Sequence, residues 1–132
     1  MQPPPPPVDL RELHGRLSEL YSRYETLRAS NEGEALEVGI SILSELLDFV
    51  KREIVPVFTS PAVRDAVMTI VLEYEKGLSF VRGTAEAAYS APPLYAPEMI
   101  ERALSSLDTY ISGLFNFAMG ALLVLAELAG SH

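Results

Sequence analysis

The stretch TYISGLFNFAMGALLVLA, residues 109–126, contains no charged side chain. Around it, apolar residues recur at alternating steps of four and three, which is the spacing of a helix that packs along one side against other helices. This apolar seam consists of Ile100, Leu104, Leu107, Ile111, Leu114, Ala118, Ala121, Leu125 and Leu128. Further apolar residues flank the seam, so we expect this helix to have neighbours on most of its surface.

Three interpretations of this helix stay open: the core of a bundle, a subunit interface, or a membrane span. The uncharged run is at the lower limit of about 18 to 20 residues for a span. Asn116 would lie in mid-bilayer, and no Lys or Arg follows the run as an anchor. In favour of close helix contact, Ser106, Gly113 and Gly120 recur one heptad apart. The bundle and the interface are favoured over the membrane.

Three amphipathic segments precede this helix. Asp9 and the pair Ser60-Pro61 are typical helix starts, whereas Pro56 is expected to stop or kink the second helix. Gly83 leaves a break in the third helix open. The four predicted helices cover about residues 10–29, 32–55, 61–89 and 97–129.

These segments predict an all-α protein: a four-helix bundle with antiparallel up-down topology and left-handed heptad-type packing. The bundle forms one domain over residues 9–130, and the proline-rich arm 1–8 is expected to be disordered. Glu12 precedes Arg16 by one helical turn, and Glu19 precedes Arg23 in the same way. Ion pairs within the first helix are therefore expected.

Composition excludes several classes of protein. The chain has 132 residues, with 18 acidic and 10 basic side chains and a net charge of −8, and no basic cluster that would bind nucleic-acid phosphates. It has no cysteine, which excludes disulfides and Cys-bound zinc. The absence of cysteine favours a cytoplasmic location, and the N-terminus lacks the pattern of a secretory signal. Scarce Asn and Gln fit a heat-adapted source, although scarce Lys does not.

The sequence contains no recognisable catalytic constellation. His14 is the only histidine before the C-terminal residue, and no Glu precedes it by three residues as in di-iron bundles. No nucleophile elbow or phosphate-binding loop is present. Glu45 and Glu127 are conspicuous acids, yet both fit a solvated helix face. We therefore predict no catalytic residues, no cofactor, no metal site and no enzyme activity.

The favoured hypothesis is a non-enzymatic interaction or scaffold protein that acts as a homo-oligomer, most simply a dimer, or as a small subunit of a larger complex. Its expected partner is a second copy or another helical protein. The predicted interface residues are Tyr110, Gly113, Phe117, Gly120, Val124, Tyr89, Leu94 and Tyr95. One alternative is a regulatory bundle that holds an apolar or aromatic ligand between helices 3 and 4, with glycines making room for it. The candidate residues of that pocket are Tyr74, Gly77, Tyr110 and Asn116. The other alternative is a membrane-associated subunit anchored by helix 4.

Overall fold

The computed structural model of the protein describes residues 9–30 and 32–130. This part of the chain contains four α-helices and no strand, which confirms the all-α prediction. The helices are α1 (Leu10–Ser30), α2 (Glu32–Phe49), α3 (Pro61–Ser90) and α4 (Ala96–Gly130). The predicted proline arm 1–8 lies outside the described residues.

The helix starts follow from local hydrogen bonds. The Asp9 carboxylate accepts from the backbone N–H groups of Arg11 and Glu12 at 3.0 and 3.2 Å. The Ser60 hydroxyl accepts from the N–H of Val63 at 3.4 Å, and Pro61 is the first residue of α3. Each side chain satisfies backbone donors that have no partner within the helix, as the two start signals predict.

The second helix does not continue as an α-helix to residue 55. After Phe49 it widens into a π-helical turn, Val50–Ile54, and then narrows into a 3₁₀ turn, Val55–Val57. Pro56 explains the change, because proline has no N–H to donate and its ring would clash with the carbonyl four residues earlier in an α-helix. The third helix is uninterrupted at Gly83, where an added Cβ would meet no atom within 4 Å.

The core is built around α2 and α4, which contact each other and both flanking helices, α1 and α3. The seam of α4 is buried from Leu104 to Leu125. Leu128, predicted as its last member, is instead 56% exposed, because it lies near the free end of the longest helix. That helix has 35 residues against 21 in α1, so its end has less cover.

Two arginines of α1, Arg16 and Arg23, pair with carboxylates outside their own helix. Arg16 lies 3.4 Å from Glu53, and Arg23 lies 3.2 Å from Glu45. The predicted partners within α1, one turn earlier, are therefore not used. A long guanidinium side chain can reach the neighbouring helix, where the carboxylate is held on a different backbone.

Candidate interaction surface

The contact between α3 and α4 is a reciprocal pair of tyrosine–glycine contacts. A Cβ added to Gly77 would lie 2.6 Å from a ring carbon of Tyr110, and one added to Gly113 would lie 2.6 Å from the hydroxyl oxygen of Tyr74. Each tyrosine therefore occupies the space that a side chain would fill on the opposite helix. Both pairs come from the same local pattern, a tyrosine followed by a glycine three residues later.

The two tyrosine rings also touch each other. Their centroids lie 6.4 Å apart and their planes are nearly perpendicular, at 86°. This edge-to-face geometry is favourable for aromatic pairs. The space at the two glycines is thus filled by the protein's own rings, whereas the ligand hypothesis assigned it to a bound molecule.

An open groove of about 620 Å³ lies beside these rings. Its lining residues are Glu73, Tyr74, Lys76, Gly77, Phe80, Thr109, Tyr110 and Gly113. Its two charged residues, Glu73 and Lys76, pair with each other at 3.2 Å. Phe80 on the rim is 58% exposed. Asn116, predicted for a pocket here, is exposed and is not among the lining residues.

The apolar surface continues from this groove along both helices. We call it the α3–α4 face, and it comprises Val63, Ile70 and Phe80 of α3 with Tyr110, Gly113, Phe117, Gly120, Leu123 and Val124 of α4. Its exposed members include Val63, Ile70 and Val124, at 41%, 39% and 48%. From Tyr110 to Val124 the face extends about 20 Å along the helix axis. Five of the predicted interface residues lie on it.

The α4 part of the α3–α4 face, from Tyr110 to Val124, carries no charged residue. Between Arg102 and Glu127, the only charged residue of α4 is Asp108. That carboxylate is directed to α1, where it accepts two hydrogen bonds from the Arg28 guanidinium, at 2.8 and 2.9 Å. This part of the face therefore presents only uncharged side chains.

The polar cluster between α1 and α4 is completed by Tyr24. Its hydroxyl donates a short hydrogen bond to Asp108, and its side chain is buried. Burial, together with this bond, raises the pKa of Tyr24 well above its usual range. Burial alone would raise the pKa of Asp108, but the hydrogen bonds from Arg28 and Tyr24 outweigh it and the pKa is lowered. The cluster therefore joins α1 to α4 through hydrogen bonds and an ion pair.

A second contact joins α1 to α4 one turn away. The ring of Tyr21 stacks on Phe115 with centroids 4.2 Å apart and planes 17° from parallel. The Tyr21 hydroxyl lies 3.3 Å from the hydroxyl of Ser112. The α1 side of α4 is thus closed by both polar and aromatic contacts.

A charged groove of about 410 Å³ lies between α1 and the end of α2. It contains the cross-helix pairs Arg16–Glu53 and Arg23–Glu45, and the guanidinium of Arg16 also lies 4.9 Å from the centre of the Phe49 ring. Because these charges neutralise one another on an exposed surface, the groove offers no concentrated field for an ion.

The remaining predicted interface residues lie where α3 joins α4. Tyr89, Leu94 and Tyr95 are 53%, 81% and 56% exposed. Partial burial and the negative charge of Glu37 raise the pKa of Tyr89. The predicted interface therefore divides into residues of the α3–α4 face and a separate group in this connection.

No group of three or more His, Asp or Glu side chains that could hold a metal ion occurs within residues 9–30 and 32–130. His14 is exposed, and Glu45 is exposed and paired with Arg23. The helix Ala96–Ala129 is long and apolar enough to cross a membrane, but core helices of soluble proteins meet the same criterion.

Two exposed residues of the face are absent from the interface that the sequence predicts. Phe80 lies three residues after Gly77 and off the apolar seam of its helix, and Leu123 lies on the stripe of α4 that also carries Asn116 and Gly120. A large apolar side chain off the seam is the signal that identifies both.

Comparison of the chain with known protein families, with curated proteins and with solved structures finds no match. The function is therefore inferred from the surface of the molecule.

Proposed function

We propose that this protein is a non-enzymatic interaction protein that forms a homodimer through the α3–α4 face. The observation that carries the proposal is the uncovered apolar surface of that face, on a chain whose net charge is −8. An apolar surface of this kind is disfavoured in water unless a partner covers it.

The proposal includes an antiparallel up-down bundle with the left-handed, small-angle packing that heptad spacing favours. In support, Arg16 pairs with Glu53, whereas Arg23, further along α1, pairs with the earlier residue Glu45. The tyrosine–glycine contacts have the same reversed order, since Tyr74 contacts Gly113 whereas the later residue Gly77 contacts the earlier residue Tyr110.

The size of the face supports a protein partner. Its exposed side chains together offer on the order of 500 Å² of apolar surface, near the upper end for the largest patch on a monomer. A standard interface buries about 800 Å² per partner. The exposed side chains of the face are smaller in area than a standard interface, so a partner would also cover the residues around it. A second copy is the simplest such partner.

Light scattering on a sizing column, without detergent and over at least a tenfold concentration range, tests the proposal. We expect twice the mass of the chain at high concentration, with dissociation on dilution. Val124→Glu should shift the protein to monomer, because a charge would be buried in the interface. The matched control is Val38→Glu, since Val38 is a valine of similar exposure, 41%, on α2.

A monomer at every concentration overturns the proposal, and so does a dimer that both glutamate variants leave intact. Aggregation that only detergent reverses would favour the membrane-associated alternative. The mass and the response to Val124→Glu are read in the same experiment.

A second candidate function is the binding of an apolar or aromatic ligand in the α3–α4 groove. The observation in its favour is the groove of about 620 Å³ beside two tyrosines. A set of small aromatic compounds that raises the melting temperature of a monomeric protein would support it, and the Phe80→Ala variant should weaken that effect.

A further inference from the structure

The groove between α3 and α4 is lined by two tyrosine rings, and its rim carries another aromatic side chain, Phe80. Phe80 is 58% exposed, although it lies next to Tyr110 and Gly77 on the wall of the groove. A phenyl ring exposed to this extent, beside an apolar recess that no side chain of the described residues fills, leaves both surfaces in water.

The face therefore contains both halves of a contact, a projecting aromatic side chain and an apolar recess. A two-fold interface requires this combination, because each copy must supply what the other copy receives. We propose that in the homodimer Phe80 of each copy enters the α3–α4 groove of the other copy and packs on the rings of Tyr74 and Tyr110. The inference rests on the proposed homodimer and adds the residues at its centre.

The charged residues in the lining of the groove argue against a small charged ligand as its occupant. Glu73 and Lys76 on its wall neutralise each other at 3.2 Å, so the recess attracts neither a cation nor an anion. An aromatic side chain between aromatic rings gains both area and ring–ring contact. Phe80 provides such a ring at the required surface, and buried aromatic anchors in pockets carry most of the energy in protein interfaces.

The absence of tryptophan from the chain allows a direct test. In the Phe80→Trp variant the single indole keeps the aromatic character of the site, and its fluorescence should shift to shorter wavelength as the protein concentration rises and the dimer forms. The matched control is Leu72→Trp, because Leu72 is a 48% exposed residue of the same helix that does not line this groove. Its emission should stay at the wavelength of a solvated indole at all concentrations.

A second pair of variants measures the contribution of the contact. Phe80→Glu should weaken dimerisation at least tenfold, as expected for a central aromatic anchor, and Leu72→Glu should leave it unchanged. Both positions are exposed, so circular dichroism is expected to show the same helix content as in the unmodified protein.

The results separate this inference from the homodimer itself. A dimer that Val124→Glu disrupts but Phe80→Glu does not, with no shift of the indole emission in the Phe80→Trp variant, overturns the inference and keeps the homodimer. A monomer overturns both. A blue shift confined to Phe80→Trp together with a weakened Phe80→Glu dimer supports the inference.

Discussion

The two sides of α4 are joined to the neighbouring helices α1 and α3 in different ways. On the α1 side, Asp108 accepts hydrogen bonds from Arg28 and Tyr24, so the contact has polar groups with fixed directions. On the α3 side, Tyr110 and Tyr74 pack on glycines, and the contact depends on shape.

This difference gives the two sides of α4 different roles: the α1 side fixes how the helices pack, and the α3 side provides the exposed apolar surface. A bidentate guanidinium–carboxylate contact is satisfied in one register only, so it fixes α1 against α4 and directs the charge into the molecule. An apolar contact has no fixed direction, so an apolar surface of another molecule can pack beside it equally well. The α3 side can therefore continue as an exposed face on which a partner packs. The absence of charge on that side of α4 is a consequence of where Asp108 is directed.

The largest effect is expected for Asp108→Ala. The substitution removes the acceptor of the buried Tyr24 hydroxyl and the partner of Arg28, and should lower the free energy of unfolding by about 2 kcal/mol. Urea unfolding at pH 7 measures it. Asp48→Ala, at an exposed aspartate of α2, is the control and should change stability by less than about 0.5 kcal/mol.

The stability of the same two proteins at low pH gives an independent check of the Asp108 contact. The pKa of Asp108 is lowered in the folded state. Its contribution to the free energy of unfolding is therefore complete above the usual aspartate pKa, and it is lost as the pH falls through the lower pKa of the folded state. The gap between the unmodified protein and Asp108→Ala should therefore narrow towards pH 2. A gap that stays constant would mean that the carboxylate charge does not join α1 to α4.

Sequence periodicity predicts one side of this comparison better than the other. The seam of α4 is visible because its members, such as Leu107, Ile111 and Leu114, repeat at helical steps, and these three residues are fully buried. The partnership of Asp108 with Tyr24 spans 84 residues and leaves no periodic signal. The only signal in the sequence is that Asp108 is a single charge within an apolar part of α4. A charged side chain in such a position is expected to have a partner.

The role of the glycines of α3 is predicted only in part, for a similar reason. Sequence indicates that Gly77 and Gly83 weaken a helix, but it cannot distinguish a glycine that admits another helix from one on the surface. The structure distinguishes them, since an added Cβ meets the Tyr110 ring at Gly77 and nothing within 4 Å at Gly83. Likewise, the exposure of Leu128 depends on where the other helices end, which periodicity does not report.

The two glycines provide the second prediction. Gly77→Ala should lower the free energy of unfolding by about 1 kcal/mol, because a strain of roughly 1–3 kcal/mol against the Tyr110 ring exceeds the gain of about 1 kcal/mol in helix propensity. Gly83→Ala gains the propensity without the strain, so it should raise stability by about 1 kcal/mol. Thermal or urea unfolding of both variants gives opposite signs. Equal stabilisation of both would mean that α3 and α4 do not approach closely at Gly77.

An effect no larger than that of the glycine variants is expected for Tyr24→Phe, and its pH dependence identifies the cause. At pH 7 the variant loses one hydrogen bond to a carboxylate that keeps Arg28, which corresponds to about 1 kcal/mol. The pKa of Tyr24 is raised in the folded state. Its contribution to the free energy of unfolding is therefore complete below the usual tyrosine pKa near 10. That contribution is lost as the pH rises above this value, because the unfolded chain then releases the proton and the folded protein does not. The other tyrosines titrate in both proteins and cancel in the difference. Above about pH 10 the unmodified protein should therefore lose about 1.4 kcal/mol per pH unit relative to Tyr24→Phe, so the stability gap should vanish at about pH 11 and then reverse in sign, as measured by urea unfolding in matched buffers. A gap that stays flat as the pH rises would show that Tyr24 is solvated, and the α1 side of α4 would then depend on shape as the α3 side does.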